Sequence, residues 1–239
     1  MNYLNRFENN PLGEEYSLFA LSVPHYTEFQ NTITRTLAEF CSSINRQQIN
    51  VLEIGTGNGI TTARILDSDP RITVTTIDNS RVMLDQAMQA FEDTPEKVKF
   101  VENDALSALN KIQDASFDCF ASAYTLHNLP ESYRNKVFTE INRVLKPDSL
   151  FINADKIATD DPKLHLQTLR DQIERFQVYS TPEINRPDIL EAWTKHYLED
   201  GLTILTEKYH LEILAKLGFE ASTIFRKEME AVITGYKSN

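Results

Sequence analysis

The sequence is poor in features that would identify several classes of protein. Its 239 residues contain only two cysteines, Cys41 and Cys119, whose separation fits neither a disulfide framework nor a zinc site. No stretch approaches the roughly 20 apolar residues of a membrane span. The polar segment 1–10 lacks the apolar core of a signal peptide. We therefore expect a cytoplasmic protein without membrane segment or metal, in which both cysteines are buried as apolar side chains.

Basic residues are scarce relative to acidic ones. The chain has 24 lysines and arginines against 35 aspartates and glutamates, which gives a net charge of −11. A surface of this sign repels the phosphates of nucleic acid, so nucleic acid is disfavoured as a partner, although a local basic patch could override the average. The sequence leaves the oligomeric state open, including a homodimer.

Glycine is the residue whose scarcity is most informative. Three of only seven glycines, Gly55, Gly57 and Gly59, lie within five residues, after an apolar segment and before a helical one. Glycine lets a backbone turn tightly and approach a ligand without an intervening side chain. Asp78 ends the next β-branched segment, where a carboxylate can accept hydrogen bonds from both hydroxyls of a ribose. This combination predicts a nucleoside-binding site.

The spacing of these glycines discriminates between nucleoside cofactors. The dinucleotide fingerprint G-x-G-x-x-G/A would place its third small residue at Ile60 when counted from Gly55, and at Thr62 when counted from Gly57. Neither residue is glycine or alanine, so the pattern weakens the interpretation as a nicotinamide oxidoreductase. That alternative stays open and predicts binding of NAD(H).

The order of the segments predicts an α/β fold. Five strand–helix units in succession are typical of a mostly parallel sheet with helices on both faces. The predicted strands cover residues 49–54, 71–77, 98–101, 117–122, 150–154, 221–225 and 229–236, and the last two form an antiparallel hairpin. We expect residues 1–239 to form one domain. Within it, 1–47 is an N-terminal helical segment, and 158–202 is a helical insertion that caps the sheet.

Several motifs resemble those of class I S-adenosylmethionine-dependent methyltransferases. They are Val51-Leu-Glu-Ile-Gly-Thr-Gly-Asn-Gly59, Thr76-Ile-Asp-Asn79, Asn103-Asp-Ala105, the segment 117–130 and the segment 143–152. Asp148-Ser149 stands where that family often has two glycines. The resemblance covers residues 50–155 and the last two strands. It implies a Rossmann-like, seven-stranded sheet with an antiparallel last strand. It also implies S-adenosyl-L-methionine as methyl donor and S-adenosyl-L-homocysteine as product.

The same resemblance implies which residues hold the cofactor. The turn residues would line its methionine part, Asp78 would hold the ribose, and Asp104 would contact the adenine. The expected cofactor-binding residues are Tyr26, Glu53, Gly55, Thr56, Gly57, Gly59, Asp78, Asn79, Asp104, Ala105, Ala123 and Tyr124. The last two would close over the sulfonium.

Methyl transfer from a sulfonium is an in-line displacement that depends mainly on positioning and desolvation. A catalytic base is needed only if the acceptor must lose a proton. The candidates are His127 after the fourth strand, Asp155 after the fifth and His196 in the cap. His127 is the first choice, because its loop should lie next to the methyl group. The cap is rich in leucine and aromatic residues, which suggests a small, partly apolar acceptor.

Two other functions fit the same fold. Ser22-Val-Pro-His-Tyr26 resembles a segment of the carboxy-S-adenosylmethionine synthases, which act in tRNA wobble modification and whose tyrosine there reaches the cofactor. That branch holds the additional carboxylate with an arginine, and the best-matching position here is Ile213. The second function is a non-catalytic, S-adenosylmethionine-binding module that regulates a partner.

Overall fold

The first part of the chain is helical. The computed structural model describes residue 7, residues 11–201 and residues 203–238, so most of the predicted segment before residue 11 lies outside the described residues. The first elements are α1 (Pro11–Glu14), a 3-10 helix (Tyr16–Leu21) and α2 (Tyr26–Ser43). Pro24 separates the last two, because proline lacks the N–H that a continuing helix needs. Helix α2 buries Phe29, Ile33, Leu37 and Phe40, which recur at helical spacing.

Seven strands form one sheet. They are β1 (Ile49–Ile54), β2 (Ile72–Asp78), β3 (Val98–Glu102), β4 (Phe117–Ala123), β5 (Leu145–Lys156), β6 (Phe219–Lys227) and β7 (Glu230–Lys237). Their order is β3-β2-β1-β4-β5-β7-β6, and β7 alone runs antiparallel to the other six strands. The predicted sheet is confirmed. Its strand order reverses between β1 and β4, where open α/β sheets bind ligands at the carboxyl ends of the strands.

Helices cover both faces of this sheet. After α2 they are α3 (Ile60–Leu66), α4 (Arg81–Ala90), α5 (Ala105–Leu109), α6 (Glu131–Val144), α7 (Pro162–Arg175), α8 (Pro187–Asp200) and α9 (Glu207–Lys216). Successive side chains of a strand point to opposite faces. Accordingly, Val51 and Cys119 belong to one buried apolar cluster, and Leu52 and Phe120 belong to the other. Both cysteines are buried and unbridged, as the sequence predicted.

Strand β5 is longer than the sequence predicted. The pattern places a strand at residues 150–154 and extends the preceding helix to Leu145, with Pro147 as its stop. In the structure Leu145 already pairs with Phe117, and the register shifts before Leu150 pairs with Cys119. Asp148, with φ +57°, lies in this irregular stretch. Pro147 indicates correctly that the helix does not continue, but the pattern does not show where the strand begins. The pairing of Leu145 with β4 makes the strand begin directly at the end of the helix.

The helices between β5 and β6 pack on the N-terminal helices. The Tyr179 hydroxyl donates to the Leu18 carbonyl at 3.0 Å, and Gln172 Nε2 donates to the Ser22 carbonyl at 3.0 Å. The rings of Trp193 and Phe19 lie 4.5 Å apart between centroids. Parts of the chain that are far apart in sequence therefore meet over the carboxyl edge of the sheet. Among the described residues, no helix combines the length and the apolarity that a membrane crossing requires.

Candidate active site

The chain turns sharply between β1 and α3. Gly55, Gly57 and Gly59 have φ values of +87°, +52° and +88°, in the left-handed region that glycine adopts readily. A Cβ on Gly55 would lie only 1.8 Å from Thr125 Oγ1, whereas a Cβ on Gly57 would meet no heavy atom within 4 Å. Packing therefore requires glycine at position 55, and Gly57 faces open space.

The carboxylate of Asp78 faces this turn from the end of β2. Its Oδ2 accepts from the Gly57 N–H at 2.9 Å, and its Oδ1 accepts from the Ser80 N–H at 2.9 Å. Burial raises the pKa of Asp78, and these backbone donors oppose the shift. Ser80 also caps α4, since its hydroxyl accepts from the Met83 N–H. The carboxylate is thus fixed in position where β1, β2 and the glycine turn meet.

A cavity opens at this turn. Its empty volume is about 980 Å³, which includes the part open to solvent. Ten of the twelve predicted cofactor-binding residues line it, namely Tyr26, Gly55, Thr56, Gly57, Asp78, Asn79, Asp104, Ala105, Ala123 and Tyr124. Tyr124, with φ +48°, follows directly on β4 in a backbone conformation uncommon outside glycine.

Other residues of the lining were missed by sequence reasoning. They include Phe7, Tyr16, Gln30, Thr125 and Asn128. Phe7 and Tyr16 belong to the N-terminal segment, which carries no spacing typical of a binding site at these positions. Thr125 and Asn128 are the chain neighbours of Tyr124 and His127, which the sequence predicts as site residues. Their position directly after the fourth strand is the signal that could have found them.

Asp104 lines the cavity and also begins helix α5. Its Oδ1 accepts from the Ser107 N–H at 3.0 Å and from the Tyr133 hydroxyl at 2.7 Å. Burial opposes ionisation of this carboxyl, but the hydrogen bonds outweigh it and lower the pKa of Asp104. A negative charge therefore lies on the cavity wall at the end of β3, next to Ala105.

Glu53 and Gly59 lie outside the cavity lining. Glu53 is fully buried in β1, and its Oε2 accepts from the hydroxyls of Thr62 and Thr76 at 2.6 Å each. Thr76 also shares a 2.7 Å hydrogen bond with Thr56 of the glycine turn. Gly59 precedes α3, and its φ of +88° and the proximity of Phe91 to a Cβ there favour glycine. Both residues therefore support the turn from behind.

We expect replacement of Glu53 by glutamine to stabilise the fold at alkaline pH. Burial raises the pKa of Glu53 to about 8, above its unfolded value. An elevated folded pKa of a carboxyl means that stability is fully present below the unfolded pKa and is lost as pH rises towards 8. Glu53→Gln keeps an oxygen for both threonines and removes this titration. Its free energy of unfolding should exceed that of the wild type by roughly 1–3 kcal/mol at pH 8.5 and by much less at pH 5.5.

Thermal and urea unfolding at the two pH values would check this expectation. Exposed Glu102→Gln, at the end of β3, is the control that should leave the pH dependence unchanged. A Glu53→Gln protein whose stability falls with pH as steeply as that of the wild type would contradict it.

The three candidate catalytic residues come together in one buried group. Asp155 Oδ1 lies 2.5 Å from His127 Nδ1, and Asp155 Oδ2 accepts from the His127 backbone N–H at 2.9 Å. His196 Nε2 lies 3.0 Å from Oδ2 of Asp200, to which Lys156 Nζ donates at 2.7 Å. None of these five residues is among the described residues that line the cavity. Sequence reasoning missed Asp200, because its partners Lys156 and His127 are distant along the chain.

The electrostatics of this group follow from burial and from close opposite charges. Burial opposes ionisation of Asp155, but the charge and hydrogen bond of His127 overcome it and lower the pKa of Asp155. Burial, followed by the charge of Lys156, lowers the pKa of His196 to about 4. His196 is therefore neutral at physiological pH, while both aspartates are ionised.

Comparisons with known proteins match this architecture. Residues 51–148 match the family described as "Methyltransferase domain". The chain is 24% identical over 217 residues to the carboxy-S-adenosyl-L-methionine synthase of Nautilia profundicola, covering 90% of this chain and 87% of that protein. The match is confined to residues 51–148, and together these similarities support a class I S-adenosylmethionine-dependent methyltransferase. Methyltransferases of this family use S-adenosyl-L-methionine as methyl donor and produce S-adenosyl-L-homocysteine.

Two further similarities concern parts of larger proteins. The chain is 31% identical over 127 residues to sterol 4-C-methyltransferase strm-1 of Caenorhabditis elegans, which covers 52% of this chain and 37% of that protein. The structure of the CurJ carbon methyltransferase superposes with a TM-score of 0.63 and 16% identity, covering 88% of this chain and 54% of that one. This chain thus spans about half the length of the CurJ protein, and the likeness concerns the fold alone.

The residues present fit such a cofactor. Beyond Gly57 there is open space rather than a side chain, and the fixed Asp78 carboxylate lies next to it. The nearby amino end of α3 and the backbone of the turn suit a negatively charged group. The cavity therefore offers a fixed carboxylate as acceptor for ribose hydroxyls, beside the open space at Gly57.

Proposed function

We propose that the protein transfers the methyl group of S-adenosylmethionine in line to a small, partly apolar acceptor. The observation that carries this proposal is the juxtaposition of the Gly55–Gly57 turn with Asp78 in a cavity of about 980 Å³. In this proposal Gly55, Thr56 and Gly57 hold the methionine part, and Asp78 holds the ribose. Asn79, Asp104 and Ala105 contact the adenine, and Tyr26, Ala123 and Tyr124 adjoin the sulfonium.

The character of the acceptor is suggested by the aromatic residues of the cavity. Phe7, Tyr16, Tyr26 and Tyr124 line it together with Gln30. The rings of Tyr26 and Tyr124 are nearly parallel, with an interplanar angle of 5°. An aromatic wall with one amide favours an acceptor that is partly apolar and carries a polar group. Residues 158–202 would act as the cap of this acceptor space, since their helices pack on the N-terminal segment.

In-line transfer to a nucleophilic acceptor needs alignment more than proton transfer. Holding two reactants in line can contribute roughly 7–11 kcal/mol to lowering the barrier. The ring nitrogens of His127 face Asp155 and Asp200, at 2.5 and 3.4 Å. For His127 to serve as base, its Nε2 would have to turn from Asp200 towards the cavity. We therefore propose positioning as the main source of catalysis, and a base role for His127 only where the acceptor must lose a proton.

Calorimetry with S-adenosylhomocysteine tests the cofactor half of this proposal. We expect binding with a dissociation constant in the micromolar range, well within the scale of specific small-ligand sites. The control titration uses NAD⁺, for which no binding is expected. Absence of heat with S-adenosylhomocysteine at about 100 μM, or tighter binding of NAD⁺, would contradict the proposal.

A second candidate function is formation or use of a carboxylated cofactor. It is favoured by the similarity to carboxy-S-adenosyl-L-methionine synthases, which extends over 90% of this chain. Two observations weigh against it. Ile213 of α9 packs against the apolar cluster that contains Leu214, outside the cavity lining. The described residues that line the cavity include two aspartates and no lysine, arginine or histidine. An additional carboxylate would lack the cationic partner that a buried charge needs.

Mass spectrometry of nucleosides that copurify with the protein separates these functions. A carboxylated cofactor is heavier than S-adenosylmethionine by the mass of carbon dioxide. We expect S-adenosylmethionine or S-adenosylhomocysteine, and a carboxylated species would establish the second function. If the cofactor binds but extracts supply no acceptor that becomes methylated, the regulatory module gains support.

A further inference from the structure

A buried charged group joins the cap to the sheet. Asp200 lies at the end of α8, and its Oδ2 is 2.7 Å from Lys156 Nζ at the end of β5. The same oxygen lies 3.0 Å from His196 Nε2 and 3.4 Å from His127 Nε2. The side chains of Lys156 and Asp200 are each only 3% exposed. Because an unpaired charge at such depth is strongly destabilising, this ion pair ties the end of α8 to the end of β5.

His127 is held between two carboxylates from different elements. Asp155 of β5 binds its Nδ1 and its backbone N–H, and Asp200 of α8 faces its Nε2. His127 lies in the short 3-10 helix Leu126–Asn128, which directly follows Tyr124 and Thr125. Asp155 of the sheet therefore orients this ring by hydrogen bonds, and on the other side the Asp200 carboxylate of the cap lies 3.4 Å from Nε2 as a charge contact without a hydrogen bond.

The loop that contains His127 is also a wall of the cofactor cavity. Tyr124, Thr125, Asn128 and Leu129 line the cavity, and Thr125 packs against Gly55. We infer that Asp200 is a positioning residue: by holding His127 it fixes residues 124–129 and couples the placement of α8 to the cofactor site. This inference rests on the proposed function only in that the ligand used to detect it is S-adenosylhomocysteine.

A metal site is the competing interpretation of the same atoms. His127, His196 and Asp200 offer ligand atoms that all lie within 4.8 Å of one another. However, Lys156 Nζ already places a positive charge 2.7 Å from the Asp200 oxygen that a metal would need. The ammonium neutralises this carboxylate, so the observations favour a positioning role over metal binding.

Two variants separate positioning from mere charge compensation. Asp200→Asn leaves Lys156 buried without its counter-charge and should lower the melting temperature strongly. The double variant Lys156→Met/Asp200→Leu removes both charges and should recover most of that loss, since apolar pairs often replace buried ion pairs without cost. If Asp200 positions His127, the double variant should still bind S-adenosylhomocysteine roughly tenfold more weakly than the wild type.

Nitrogen-15 NMR of labelled histidines provides a readout that does not depend on the ligand. The Nε2 resonance of His127 should shift in the double variant, while His210, whose Nδ1 lies 2.8 Å from the Thr206 carbonyl, should be unchanged. The control is Arg175→Gln, which breaks a different contact between the cap and the sheet, the ion pair of Arg175 with Glu228. It should leave both the affinity and the His127 resonance as in the wild type.

Three outcomes would overturn the inference. They are a double variant with wild-type affinity, an unshifted His127 resonance, and one divalent ion per chain in the purified wild type. A wild type that does not bind S-adenosylhomocysteine would contradict the proposed function instead, and the NMR comparison would still decide the role of Asp200.

Discussion

Replacing Asp78 by alanine is expected to weaken the binding of S-adenosylhomocysteine at least about 100-fold. Asp78 offers the ribose a carboxylate that is already fixed by the Gly57 and Ser80 N–H groups, each at 2.9 Å. Hydrogen bonds to a charged group contribute roughly 1.5–3 kcal/mol each, and two of them correspond to a factor of 100 or more. The alanine also leaves two backbone donors without their acceptor, which loosens the turn. Calorimetry on the wild type and the variant measures the difference.

Two further variants make the Asp78 result specific. Asp78→Asn keeps the shape but points an amide donor at one of the backbone N–H groups, so we expect a loss nearly as large. Glu102→Gln changes an exposed acid at the end of the neighbouring strand β3 and should bind S-adenosylhomocysteine like the wild type. Unchanged affinity in Asp78→Ala would refute the ribose role.

The parts of the site that sequence could predict are those encoded by segments that follow one another closely along the chain. Gly55, Gly57 and Asp78 lie at the ends of two adjacent parallel strands, so their meeting follows from the order of the segments. The same holds for Ser80, whose capping role depends on a helix that begins at the next residue. In each case the residue pattern along the chain indicates the same position that the residue takes in the folded protein.

The parts that sequence could not predict depend on contacts between distant segments. Asp200 reads as a solvated charge at the end of an amphipathic helix, yet it pairs with Lys156, 44 residues earlier. Phe7 and Tyr16 enter the cavity only because the N-terminal segment lies over the carboxyl edge of the sheet. The sequence predicts His127 as the catalytic base because it follows the fourth strand. Its two carboxylate partners, which restrict its freedom to act as a base, became visible only in the structure.

Replacing Gly55 by alanine is expected to lower the free energy of unfolding by roughly 2–4 kcal/mol and to abolish cofactor binding. Two costs combine at this position. The φ of +87° is unfavourable for an L-residue, and the added Cβ would lie 1.8 Å from Thr125 Oγ1 and 2.6 Å from Thr125 Cβ. A change of the Thr125 rotamer cannot relieve the second contact, because Cβ does not move with the rotamer. The melting temperature should fall by about 5–15 °C.

Gly57→Ala is the matched comparison for this expectation, because it adds the same methyl group two residues later. Its φ is +52° and its new Cβ would meet no heavy atom within 4 Å, so only modest backbone strain opposes folding. We expect a loss of about 1 kcal/mol in stability, but a large loss of affinity, because the methyl group would enter the space of the cofactor. Thr125→Gly should recover the steric part of the damage in Gly55→Ala and have no such effect on Gly57→Ala. Equal destabilisation by the two alanines, or rescue of both by Thr125→Gly, would show that the contact between Gly55 and Thr125 does not shape the turn.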